Sequence, residues 1–306
     1  MKKMIKLSLV AAVAVAGLST SAVAGSLENA VKNTDLSGYL RLRLNTTHSQ
    51  TTEATGVDNE QKAVLNFKSK VNDSVTANMK FVAVGGDKHD DLDLNQANFI
   101  VAGGSYTAIV GKQTAQSPFV ANNGDTVATG ATVLVPAGPV TIAAAHYDNA
   151  TSNGASTNGA VTVTALAAIG KFGPVSAELW KAATANQDYT AVLASANVGP
   201  VAVSAHHAEK ETDNVSDDVT NTQFVVSGKA GAASVFAAYA TTGKDGGNVT
   251  VDGDTDARLI YALETISTKT ADVDAFVIGA STKVGAVKVG LTYLDADIGA
   301  TASGDE

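Results

Sequence analysis

The sequence predicts an all-β chain: a transmembrane antiparallel β-barrel of about 16 strands, up to 18 if the chain is truncated, with a loop folded inward as a constriction. Three observations carry that expectation. An apolar leader is followed by a strand in which leucine and arginine alternate, Leu40-Arg41-Leu42-Arg43-Leu44. Alternating runs of about eight to eleven residues then recur as far as Asp295, and the connections between them are by turns tight and long. Tilted strands of roughly 9–11 residues, with short turns on one side and longer loops on the other, mark an outer-membrane barrel.

The leader has the parts of a Sec signal peptide: basic Lys2, Lys3 and Lys6, apolar Leu7 to Leu18, and the small cleavage site Ala22-Val23-Ala24. Residues 1–24 are therefore assigned to export and 25–306 to the barrel domain. The apolar run is shorter than the ~20 residues a spanning helix needs, and no later stretch qualifies, although 45% of the chain is hydrophobic. A barrel accounts for this, because its strands carry apolar residues only at every second position. Leu27 to Lys32 reads as a short polar helix.

With no cysteine, the chain has no disulfide framework, thiolate metal site or thiol nucleophile, and stability falls to a closed hydrogen-bond ladder. The net charge is −9; three of the cations and none of the acids lie in residues 1–24, so residues 25–306 carry −12. That argues against nucleic acid, which calls for a clustered basic surface.

In chain order, strands are predicted near 38–45, 62–71, 74–84, 94–102, 105–113, 129–135, 139–148, 160–169, 174–182, 188–197, 200–208, 220–229, 232–241, 273–284 and 286–294. Tight turns fall at Asn72-Asp73, Gly103-Gly104, Pro136-Ala137-Gly138, Lys171-Phe172-Gly173, Val198-Gly199, Gly231 and Gly285. Longer loops are predicted at 46–61, 85–93, 114–128, 149–159, 209–219 and 242–272, with 183–187 a short exception and 257–266 part of the last loop. A weak repeat, Gly138-Pro139-Val140, Gly173-Pro174-Val175 and Gly199-Pro200-Val201, opens a strand each time.

The repeats agree in register. Val140, Ile142 and Ala144 share a face, as do Val175, Ala177 and Leu179, and Val201, Val203 and Ala205; His146, Lys181 and His207 then mark the rim. Adjacent His206 and His207 point to opposite faces and cannot chelate one ion. Trp180, Tyr147, Tyr239 and Tyr293 are expected to form a thin interfacial girdle. Fifteen strands are odd where bacterial barrels are even, and the chain stops at Gly304-Asp305-Glu306 without a closing apolar strand. Truncation by one to three strands is the expectation.

Enzymatic constellations such as GxSxG or HExxH are absent, so no catalysis is expected. Asp252-Gly253-Asp254-Thr255-Asp256 begins like a calcium loop but has Ala257 where glycine is needed and Leu263 where glutamate is needed. Asp87, Asp90, Asp91 and Asp93 are too irregular for a defined loop. No cofactor is expected beyond loosely bound Ca2+. Charge placement is more specific. With Leu40, Leu42, Leu44, Ala63, Leu65, Phe67, Val75, Ala77, Met79 and Phe81 toward lipid, Arg41, Arg43, Lys62, Lys68, Lys70 and Lys80 line the pore, since a lipid-facing Lys or Arg near the midplane costs roughly 2–4 kcal/mol. The loop 114–128, with Ser117, Pro118, Phe119, Asn122, Asn123 and pore-lining Asp125, is expected to fold inward by analogy with general porins.

Leu27-Glu28-Asn29-Ala30-Val31-Lys32, Leu36-Ser37-Gly38-Tyr39-Leu40-Arg41-Leu42-Arg43 and Gly111-Lys112-Gln113, with the signal Lys6 to Ala12, resemble the Campylobacter-type major outer membrane porins. The resemblance covers about a third of the chain. It implies a trimeric, cation-preferring, general-diffusion porin of eighteen strands with a calcium-associated lumen; no calcium ligand can be matched residue by residue. The expected function is a water-filled outer-membrane channel for ions and small hydrophilic solutes, in contact with lipid and lipopolysaccharide. The alternative is a structural or adhesive surface protein without an open pore.

Overall fold

The computed structural model describes residues 34–48, 55–85, 90–120, 126–150, 161–216, 219–251 and 270–299. They form fifteen strands: β1 (Thr34–His48), β2 (Thr55–Lys70), β3 (Val75–Gly85), β4 (Asp90–Ala102), β5 (Thr107–Thr114), β6 (Val127–Ala137), β7 (Val140–Ala150), β8 (Val161–Phe172), β9 (Val175–Ala183), β10 (Gln187–Val198), β11 (Val201–Thr212), β12 (Val219–Ala230), β13 (Ala233–Thr242), β14 (Val273–Val284) and β15 (Val287–Ile298). They hydrogen-bond in chain order. Each predicted strand has its counterpart. The predicted signal, the helix at Leu27 to Lys32, the acidic run 252–256, segment 257–266 and the final Gly304-Asp305-Glu306 lie outside the described residues.

Five connections share one design. Gly138, Gly173, Gly199, Gly231 and Gly285 each have φ between 60° and 64°, and the residue after each, proline or alanine, does not share the positive φ. Positive φ at the first central position alone defines a type II′ turn, whose twist matches the flanking strands. The prolines thus sit in the second turn position, one residue before the strand they were expected to open. The β2–β3 turn uses a side chain instead: Asn72 Oδ1 accepts from the backbone N–H of Ser74 (2.9 Å) and Val75 (2.8 Å).

The strands are longer at their loop ends than predicted. β1 runs to His48 and β2 begins at Thr55, each residue in register with its partner, so residues 46–48 and 55–61 of the expected loop 46–61 belong to strands. Alternation of apolar residues ends where hydrocarbon ends, but cross-strand pairing of threonine and polar residues continues in water.

The chain divides into two compact units, one holding residues 1–114 and 127–133, the other 115–126 and 134–306. Both invert the soluble pattern. In the first, Leu36, Leu40, Leu42 and Leu44 are 63–70% exposed, and Phe67, Leu65 and Ala63, the partners of Leu36, Gly38 and Leu40, continue the same face. In the second, Ile142, Leu166, Leu179, Val192, Phe224 and Ile278 are exposed on one face, whereas the alternate residues Ala143, Ala167, Ala182, Ala191, Ala238 and Val277 are buried on the other. Large apolar side chains outward over so many adjacent strands are what lipid, not water, rewards.

Candidate functional site

The register of the first unit brings the predicted cations together. Arg41 pairs with Lys62, Asp35 with Lys68, and Ser37 with Asn66; Asn66 in turn pairs with Lys80, and Lys70 with Thr76. Because side chains alternate with period two, Arg41, Arg43, Lys62, Lys68, Lys70 and Lys80 all register on one face, opposite the exposed leucines. A β-bulge between Lys80 and Phe81 absorbs Asn95 without disturbing this set.

Sequence reasoning missed the counter-charges on that face. Asp35 stands opposite Lys68, and Asp93 stands opposite Val82, which pairs with Val64 on the same face. The stripe is basic but interrupted. Lys70 Nζ also reaches Asp73 Oδ1 at 3.0 Å, an exposed pair that contributes little. Beside the cations an amide ladder ties three strands: Asn78 Nδ2 donates to Gln96 Oε1 (2.9 Å) and Gln96 Nε2 to Thr114 Oγ1 (2.5 Å). Gln113 accepts from Thr132 Oγ1 at 3.2 Å.

A direct test of the register follows. Cysteine at position 41 is expected to react with a water-soluble thiol reagent, and cysteine at position 42 to be protected by lipid. Equal labelling in proteoliposomes would overturn the assignment of faces.

The predicted inward loop is described at residues 115–120 and 126; Asn122, Asn123 and Asp125 lie outside the described residues. Its base is closed by the Ala115 N–H to Thr126 O bond (3.0 Å), and Ser117 turns the chain through O···H–N Val120 (3.4 Å) and Oγ···H–N Phe119 (3.2 Å). Phe119 is completely buried, 5.6 Å from the ring centroid of Tyr189, and its carbonyl accepts from Val251 N–H at 2.8 Å. Tyr189 donates to Gln187 Oε1 at 2.6 Å. It lies on the face of β10 opposite Val192, so within the second unit the loop packs on the face turned away from the exposed apolar residues.

The girdle needs correction. Tyr239 and Tyr293 are 39% and 59% exposed on the apolar outer face, and Tyr239 hydrogen-bonds Asp274. Trp180 instead pairs with Ala191, and Tyr147 with Val163, on the opposite face, because each is an odd number of residues from its lipid-facing neighbours Leu179 and Ile142. His146 and His207 register with the apolar face; their Nδ1 atoms pair with Thr164 Oγ1 (3.0 Å) and Thr222 Oγ1 (2.7 Å). His206 registers on the other face, beside Leu193.

Among the described residues no three histidine, cysteine or carboxylate side chains come together to hold a metal ion. The acidic segments expected to hold calcium lie largely outside the described side chains; Asp93 alone is placed, on the face of the cations.

The sequence model of the Campylobacter major outer membrane protein family matches residues 1–304. No curated protein matches the chain. Solved structures similar to it include OpdO of Pseudomonas aeruginosa, 16% identical with a TM-score of 0.70 over 88% of this chain and 82% of that one. OccK8 (OprE) of the same organism is 12% identical with a TM-score of 0.68, covering 87% and 84%. OccK2 (OpdF), solved in complex with glucuronate, is 11% identical with a TM-score of 0.64, covering 88% and 82%. At such identities the likeness is one of fold.

Proposed function

Given that the chain belongs to the Campylobacter major outer membrane protein family and is an outer-membrane porin for small solutes, we propose that solutes pass along the face carrying Arg41, Arg43, Lys62, Lys68, Lys70 and Lys80, and that the loop carrying Phe119 forms a constriction. The observation that carries this reading is the segregation of faces in β1–β3: six cations on one, exposed leucines on the other. A charge is tolerated at those positions only where water reaches it.

Support for the constriction comes from the second unit, where Phe119 seats against Tyr189 on the face opposite Val192. The proposal extends to Asp125 as a pore-lining acid, to a homotrimer as the assembly the family resemblance implies, and to contact with lipid and lipopolysaccharide over the exposed apolar band. A leader at residues 1–24, removed on export, and loosely bound Ca2+ at acidic loops remain part of the proposal.

The pore charges work against each other. The basic stripe attracts anions, while the excess acid of residues 25–306 enriches cations at the mouth, an effect screened beyond about 8 Å at physiological ionic strength. Reversal potentials in planar bilayers are expected to show a modest cation preference in dilute salt that fades as salt rises, strengthened by Arg41→Gln. Absence of conductance would favour the non-channel surface protein, and strong anion selectivity at every salt concentration would hand control to the basic stripe.

A further inference from the structure

In the second unit Glu178 stands apart. Among its described strand residues it is the one carboxylate on the face shared with Tyr189; Asp188, Glu209, Asp274, Asp295 and Asp297 register on the outer face. Trp180 Nε1 donates to Glu178 Oε2 at 2.8 Å, which fixes the carboxylate and leaves Oε1 unengaged among the described residues. The strand registers set Glu178, Leu193, His206 and Gln223 side by side across β9 to β12, with Ser176, Ser195 and Ser204 in the next row. These residues line a hollow of about 190 Å³.

The lining is biased toward accepting hydrogen bonds. The indole N–H is committed to Glu178, and Gln223 Nε2 is committed to Asn221 Oδ1 at 2.7 Å. Carboxylate and serine oxygens remain. His206 Nε2, in the same wall, is buried without a hydrogen-bond partner, a condition that an occupant can relieve. The volume is below the ~300–1,000 Å³ of sites for drug-sized ligands. An ammonium group brings three donors and one positive charge, which matches a fixed carboxylate ringed by hydroxyls better than an anion or an apolar solute does.

We propose that this hollow is a binding subsite for small solutes carrying an ammonium group, held by Glu178 with Trp180 as its positioning residue. The subsite rests on the reading of this face as the pore wall. It makes permeation of such solutes saturable where a plain channel would pass them in proportion to concentration.

Trp180 is the chain's sole tryptophan, so its fluorescence reads the site directly. The full-length protein in detergent is titrated with ethanolammonium chloride, with sodium chloride at matched ionic strength and ethylene glycol as controls. A saturable emission change with ethanolammonium alone is expected. Loss of the charge-assisted contact in Glu178→Gln should raise the half-saturating concentration roughly tenfold or more, whereas Glu209→Gln on the outer face leaves it unchanged. Calorimetry gives the same ratio independently of the altered indole environment. No saturable change, or an unchanged half-saturation in Glu178→Gln, overturns the subsite while bilayer conductance keeps the channel intact. Saturable binding without any conductance would instead overturn the pore on which the subsite rests.

Discussion

Phe119→Ala is expected to open the channel. The side chain is fully buried and stacks obliquely on Tyr189, and emptying such a site costs about 3–5 kcal/mol. At roughly 1.4 kcal/mol per tenfold change, the seated population of the loop falls by about two to three and a half orders of magnitude. The backbone bond from Val251 N–H to the Phe119 carbonyl survives the substitution, but a hydrogen bond worth about 1 kcal/mol net cannot hold the loop. Single-channel conductance should rise and the loop should become susceptible to protease. Unchanged conductance together with unchanged cleavage would mean that Phe119 secures no constriction. Phe119→Leu, which keeps most of the buried surface, should stay near the parent.

A second large effect is expected from a charge on the lipid face. Leu40 is 70% exposed and central among the outward leucines of β1. Leu40→Lys should lower unfolding stability in lipid by roughly 2–4 kcal/mol if it lies at the bilayer midplane, and less toward the interface. Tyr39→Lys, one residue earlier and on the face of Arg41, should cost much less because its ammonium stays in water. Urea unfolding of both variants from vesicles checks this. Equal losses would contradict the two-faced reading, since substitution of an exposed residue removes little packing at either position.

Much of the fold was legible because strand architecture is local. A period of two assigns faces, and a hairpin partner lies only a turn away, so Arg41 and Lys62 could be placed on one side without a structure. The turns were legible for the same reason: glycine before proline or alanine leaves few conformations at φ near 60°. Strand ends were less so. His48 and Thr55 pair beyond the alternating region, where water tolerates either face and hydrophobicity no longer marks the strand. Trp180 was misassigned for a related reason. Proximity to a strand end suggested an aromatic girdle, but parity with Leu179 decides the face.

The candidate sites divide along the same line. The cation stripe was readable because each member belongs to a strand next to another member in the chain. Asp35 and Asp93 could not be read as counter-charges because each counts only through the register of two or three strands taken together. Phe119 was singled out as part of a loop, yet nothing in residues 114–128 specifies Tyr189 as its partner.

From the sequence alone follow the all-β class, the fifteen strand positions, the turn glycines and the side of the wall on which each of the six cations lies, because alternation and turn chemistry are written over a few consecutive residues. Only the tertiary structure decided where Phe119 seats and that Glu178, held by Trp180, borders one hollow with His206 and Gln223. These depend on contacts between residues tens of positions apart, and the cumulative register of several strands is a property of the folded sheet that no local stretch encodes.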